Sequence, residues 1–310
     1  MTSVRNATMD DIRAIVRLFT DQVQTWQRIR PDNQAETVEY DALTLYERWG
    51  HGVTMGAEAW MSIETGALLM SYLLSNPCVA LVAVDEQQTV IGYLEAYFGD
   101  EPTHGKHLHI YHLVGVSVDV EQCLIAHLHE KQRGVRLTMT RSGYDREGAK
   151  KLKAFGFAPS SRTEQYTLVA QTGRGFYQVT YQPDAPFTKI ANWAMPIGRV
   201  QSASTHWHLL WRNIWRAVVD RENKLNHHLF FSVSGHDAFV LIKTQLYAQR
   251  TADVYCWSAK PLTAPLLVAI RDWAYREGYR TLVLTVSPET AKLLPNDAEM
   301  TPYKFDVYSG

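Results

Sequence analysis

The sequence has little cysteine, almost no net charge and no long apolar run. Cys78, Cys123 and Cys256 are its only cysteines. They are odd in number and far apart, which excludes a disulfide framework, and each falls in an apolar run, so all three are expected to be reduced core residues. The formal net charge is −1 over 310 residues, which excludes a grip on nucleic acid driven by phosphate neutralisation. No apolar run approaches the ~20 residues that a helical membrane span needs. The start, Met1-Thr2-Ser3-Val4-Arg5, lacks the apolar core of a signal peptide. The expectation is a cytoplasmic protein, monomer or homodimer, with neither nucleic acid nor membrane as partner.

What is present suits a filled globular core: 46% hydrophobic and 20% charged residues. The length leaves room for two domains of ordinary size. A strand at 4–7 is followed by Thr8, with Asp11 three residues on as in a capping box, and then by Ile12, Ile15, Val16, Phe19 and Val23 at helical spacing. Further helices are expected at 40–49 and 57–75, the latter turning Trp60, Ile63, Ala67, Met70, Leu73 and Leu74 inward. Strands at 78–84, 89–98 and 108–118 form a meander. A crossover helix at 120–132 leads to a strand at 135–140, a parallel connection. A helix at 147–154 and a strand at 165–169 close the first half.

Gln171-Thr172-Gly173-Arg174-Gly175 reads as a linker. A similar order then returns: strand 177–181, helix 203–219 carrying Trp207, Leu210, Trp211, Ile214 and Val218, strands 229–234, 238–248 and 253–258, helix 263–276, strand 281–286, short helix 289–294 and strand 303–308. The plan of the two halves implies a structural duplication.

Four segments of the first half resemble the GNAT (GCN5-related N-acetyltransferase) superfamily: Val4-Arg5-Asn6-Ala7-Thr8-Met9-Asp10-Asp11-Ile12; Arg48-Trp49-Gly50-His51-Gly52 with Trp60-Met61-Ser62-Ile63-Glu64-Thr65; Ala80-Leu81-Val82-Ala83-Val84 with Val90-Ile91-Gly92-Tyr93-Leu94-Glu95; and Ala149-Lys150-Lys151-Leu152-Lys153-Ala154-Phe155-Gly156-Phe157. The second half resembles it only over about 253–286. The resemblance implies an α/β fold, a mixed sheet in an α+β arrangement, made of two tandem GNAT-like acyl-CoA N-acyltransferase domains: 1–170, N-terminal, and 171–310, C-terminal and degenerate.

It also implies acetyl-CoA as co-substrate and a small-molecule or peptide amine as acceptor. Such enzymes hold the CoA pyrophosphate on N–H groups at a helix N-terminus, offered by a Gly-rich turn of pattern Q/R-x-x-G-x-G/A. Here the strand 109–118, which carries Val116 and Ser117 near its end as cofactor-site candidates, runs through Asp119 into the helix without a glycine pair. Asp119 is expected at the N-cap, where its carboxylate would repel an anion. The family tyrosine four residues before the Gly of Gly-Phe is Leu152, which donates no proton.

In the second half Lys260 and Thr263 stand before the helix with no carboxylate between them, a better anion site on the resemblance. Its strand, with Cys256 and Trp257, would pair a pantetheine arm through the backbone, and Tyr255 and Ser258 are the candidates for protonating the leaving thiolate. Glu95 and His112 are candidate bases for the amine. The plainer alternatives are a solvent-facing Glu95 or one partnering a histidine, and polar histidines (His104, His107, His109, His112) on a half-exposed strand. Their spacing matches no metal motif, so no metal is expected. Two functions compete: an acetyl-CoA-dependent N-acetyltransferase whose second half holds the cofactor, and a non-catalytic binding or scaffold protein derived from that fold.

Overall fold

The computed structural model describes every residue except Met1, Pro31, Asn33, Thr54, Met55, Thr103, His104, Gln201, Leu246, Tyr247 and the stretch 212–225. His104 and the end of the helix expected at 203–219 therefore lie outside the described residues. Of those described, one compact unit holds Met1–Tyr97 and Ile110–Gly134, and a second holds Phe98–His109, Val135–Asn213 and Asn223–Gly310.

The first unit contains β1 (Ser3–Asn6), α1 (Ile12–Thr20), β2 (Gln27–Ile29), β3 (Ala35–Thr37), α2 (Leu45–Gly52), α3 (Ile63–Ser75), β4 (Cys78–Val84), the larger parts of β5 (Val90–Glu101) and β6 (Gly105–Gly115), and α4 (Val118–Lys131). Its sheet runs β1-β4-β5-β6. The Thr8–Asp11 box forms as the sequence predicts: the Thr8 N–H donates to Asp11 Oδ2 at 2.8 Å, and Arg5 closes on the same carboxylate at 2.7 Å. Ile12, Ile15, Val16 and Phe19 are buried.

The helix expected over 57–75 is broken. A 3-10 turn at Glu58–Met61 ends at Ser62, whose side chain caps α3 by accepting from the Thr65 N–H. The break resets the helical phase, so Leu69, Met70, Tyr72 and Leu73 face inward while Ile63 and Leu74 are exposed. The β2–β3 hairpin was not predicted. Helix α4 lies close against β5: a Cβ on Gly92 would meet Val120 Cγ1 at 2.6 Å and Leu124 Cδ1 at 3.1 Å. Cys123, expected in the core, is exposed, because the buried face of α4 is formed instead by Val120, Leu124, Ile125 and Leu128.

The second unit contains β7 (Arg136–Ser142), α5 (Arg146–Ala154), β8 (Ala158–Val169), β9 (Gln178–Tyr181), β10 (Ala194–Ile197), α6 (Ala203–His206) leading into a π-helical turn at Trp207–Trp211, β11 (Asn226–Val233), β12 (His236–Gln245), β13 (Ala248–Ser258), α7 (Ala264–Arg276), β14 (Thr281–Val286), α8 (Pro288–Ala291) and β15 (Glu299–Ser309). Its sheet runs β7-β15-β8-β14-β13-β12-β11-β9, with β10 added on β13. The β11–β12 turn is Ser234-Gly235, both at positive φ (50° and 72°), the primed geometry that suits a tight hairpin. Helix α7 makes the parallel crossover from β13 to β14 and buries Leu266, Leu267, Ile270 and Ala274 in the main core of this unit.

The last strand, β15, lies between β7 and β8, antiparallel to both (Val307↔Thr140 and Phe305↔Thr163). The change of half expected at 170/171 concerns order along the chain, whereas the compact units group residues by packing, and both sides of that point fall in the second unit. The architecture is the mixed α/β sheet expected. Among the described residues no helix is long and apolar enough to cross a membrane.

Candidate functional site

In the first unit the pattern Tyr93-x-Glu95-x-Tyr97 on β5 places three side chains on one face, since strand residues alternate. They converge. Glu95 is fully buried and accepts hydrogen bonds from the Tyr93 hydroxyl (3.0 Å), the Tyr97 hydroxyl and the Trp60 indole N–H (3.1 Å). Burial raises the Glu95 carboxyl to about 7, against the lowering effect of the three donors. The same burial, with Glu95 adding to it, pushes the Cys78 thiol up to about 12. The solvent-facing alternative for Glu95 is thus overturned. The sequence reading did not name Tyr93 and Tyr97 as partners, although their period-two spacing around Glu95 was the signal that could have found them; Trp60, from another segment, gave no such signal.

His112 on β6 is buried at the margin of the same ring cluster, edge-on to Phe19 at 5.0 Å, and Phe19 in turn stands 6.2 Å from Tyr93. His107 and His109 are also buried, which corrects the half-exposed strand. Both belong to the second unit, where His109 Nδ1 lies 2.9 Å from Thr138 Oγ1 and His107 Nδ1 2.7 Å from the Gly105 carbonyl.

At the tip of α4 the N-cap is Ser117, not Asp119: the helix starts two residues earlier than expected, and the Ser117 hydroxyl accepts from the Val120 N–H at 3.4 Å. Val116 is exposed beside it. Asp119 and Glu121 both occupy the first turn. The remaining tip amides could meet a phosphate, but the two carboxylates oppose it.

The second-half candidates cluster around the end of β13. Tyr255 and Trp257 turn to one face and Cys256 to the other, in the core under α7. Burial pushes the Cys256 thiol up to about 12. The Trp257 indole N–H donates to the Ala203 carbonyl at 2.8 Å. Ser258 is fully buried; its hydroxyl lies 2.6 Å from His236 Nε2 and accepts from the Lys260 N–H at 3.1 Å. Thr263 caps α7, accepting from the Leu266 N–H, and lies 3.3 Å from His236 Nδ1. The Lys260 ammonium donates to the Gly235 carbonyl at 2.9 Å. The structure brings Ser258, Lys260 and Thr263 together through His236, which sequence reasoning passed over.

The edge of β13 expected to meet a pantetheine arm is paired with β10, Ala194 opposite Ser258 and Ile197 opposite Cys256. That edge is therefore taken up by a segment of the chain itself.

A second buried polar group in this unit had no local signal in the sequence. Glu101 accepts from Arg199 Nη2 at 2.6 Å and from the Ala203 N–H at 3.0 Å, with His107 Nε2 at 3.9 Å. His206, nearby along the chain from Arg199, accepts from the Val200 N–H at 3.2 Å; burial first, then the cationic neighbours, push it down to about 3, so it is neutral.

No family model and no curated protein matches the sequence. Solved structures do match the whole chain. A GCN5-related N-acetyltransferase from Anabaena variabilis aligns with a TM-score of 0.58 at 9% identity, over 100% of this chain and 72% of its own. A conserved protein of unknown function from Enterococcus faecalis V583, described as a probable N-acyltransferase, aligns with a TM-score of 0.56 at 10% identity, over 100% of this chain and 72% of its own. Such identities speak for the fold alone, and the fold of this chain is that of the GCN5-related N-acetyltransferases.

Proposed function

We propose that this protein transfers an acyl group from an acyl-CoA, with acetyl-CoA as the first candidate, to the amine of a small molecule or peptide, and that the chemistry belongs to the first of two tandem copies, 1–170 and 171–310. The observation that supports this reading is Glu95: a buried carboxyl whose proton leaves near neutrality, at about 7, on the strand next to the one that carries His112. Acyl transfer needs a base of that strength. The amine gives its proton to the oxygen of Tyr93 or Tyr97 as that phenol's own proton passes to Glu95; the nitrogen attacks the thioester carbon, the C–S bond breaks, and the thiolate leaves to take up a proton. Both phenols are closed from solvent, so the ring cluster has to open for an amine to reach them. Tyr255 and Ser258, which belong to the second copy, are given no part in this scheme.

Specific observations favour a second reading. Asp119 and Glu121 load the tip of α4 with negative charge, and β10 holds the edge of β13. In this reading the first copy repels the anion at its helix tip, the second copy has no free strand edge for the acyl carrier, and the chain acts as a binding or scaffold protein without turnover.

Calorimetric titration with acetyl-CoA and with CoA, followed by hydrogen exchange of the complex, separates the two. Heat of binding together with slowed exchange at Ser117–Val120, and thiol release with primary amines that Glu95→Gln abolishes, supports acyl transfer. The absence of heat at millimolar ligand removes it and leaves the scaffold.

A further inference from the structure

We propose that β10 is a built-in occupant of the second copy's acyl-carrier groove, so that this copy is closed to any thioester carrier. Strands β13 and β14 pair in parallel only from Thr251↔Thr281 to Val254↔Leu284. Beyond Val254 they part, and β10 fills the wedge. It pairs antiparallel with β13 at Ala194↔Ser258 and Ile197↔Cys256, and immediately after it the Gly198 N–H donates to the Thr285 carbonyl of β14 at 2.7 Å. The segment therefore holds both lips of the opening by main-chain bonds, which is how an extended amide-bearing arm would be held there.

The fit at the apex is close. Gly198 has φ +83°, and a Cβ on it would stand 2.6 Å from Tyr255 Cδ1, 2.7 Å from the Val254 carbonyl oxygen and 2.8 Å from Tyr255 Cα. Only glycine meets both demands. The register of β10 against β13 shifts between Ala194 and Ile197, where three steps on β10 match two on β13, and Pro196, which has no N–H to donate, sits inside that bulge. Met195 and Ile197 turn to opposite sides and are both buried, each in a different core cluster of this unit. The occupant is thus anchored by side chains as well as by backbone, and an incoming carrier would have to displace two buried apolar residues together with the ladder bonds.

This inference does not depend on chemistry in the first copy, and its failure is read at different amides. Hydrogen exchange of the wild-type protein, with and without millimolar acetyl-CoA, is the test. The expected result is protection of Ile197, Gly198, Cys256 and Ser258 at the level of the β12–β13 ladder, unchanged by ligand. Fast exchange at Ile197 and Gly198, or a ligand-dependent change at Tyr255–Ser258, overturns the proposal even where acyl transfer is found. Gly198→Ala adds a second measurement: loss of protection confined to 194–198 and 256–258 supports the wedge, and unaltered exchange there contradicts it. Should that variant not fold, the wild-type measurement decides.

Discussion

The indole N–H of Trp60 meets a carboxylate oxygen of Glu95 at 3.1 Å, and both side chains are sealed from solvent. Because burial raises the Glu95 carboxyl from 4.5 to about 7, the folded state binds a proton that the unfolded chain has released between those pH values. Stability from this group is therefore full below about pH 4.5 and falls as pH rises through about 7, by on the order of 3 kcal/mol. Thermal unfolding as a function of pH should show this decline in the wild type and a flatter profile over the same window in Glu95→Gln. An identical slope in the two proteins would contradict the assignment.

Arg199→Met should be among the more damaging single changes. It leaves Glu101, buried and bonded at 2.6 Å to Arg199, without its cation, and removing one member of a buried pair costs roughly 3–5 kcal/mol. Denaturant titration should find such a loss, with part of it recovered when Glu101→Gln is added, since the orphaned charge is then gone.

Gly92→Val tests the contact between α4 and β5. A side chain there runs into Val120 and Leu124, and overpacking of this kind costs about 1–3 kcal/mol. Chemical denaturation should show that loss, and a neutral result would mean that α4 can shift outward without penalty.

Lys260→Glu should leave any acetyl-CoA affinity unchanged, since the ammonium is held on the Gly235 carbonyl and the neighbouring edge is occupied by β10. A weakening of tenfold or more in calorimetry would return the anion site to the tip of α7.

Much of the element order was legible because it rests on local rules. The Thr8–Asp11 box, the apolar face of α1 and the run Cys78–Val84 each announce themselves within a few residues. The start of α4 was misplaced because Ser117 and Asp119 are both good caps, and only the extended backbone at Ser117 (φ −151°, ψ 163°) decides between them. β10 was missed for a different reason. Ala194-Met195-Pro196-Ile197 is short and contains a proline, so it carries no strand signal of its own; it is extended because the gap between β13 and β14 accepts it. At the candidate sites the same division holds: Glu95 stood out in the sequence as a base candidate, but Tyr93 and Tyr97 were not picked out beside it despite their period-two spacing, and Trp60 with Glu95, and Arg199 with Glu101, are joined only by tertiary folding.

The position of β15 has a consequence for how the molecule is made. Its flanking strands, β7 and β8, leave the ribosome long before it does, and until it arrives each has an edge of unpaired N–H and C=O groups facing the gap it will fill. Such an edge invites pairing with the wrong strand or with another nascent chain. Completion of this sheet is a late, long-range step, and expression yield should respond more sharply to damage in the final strand than its small share of the core would suggest.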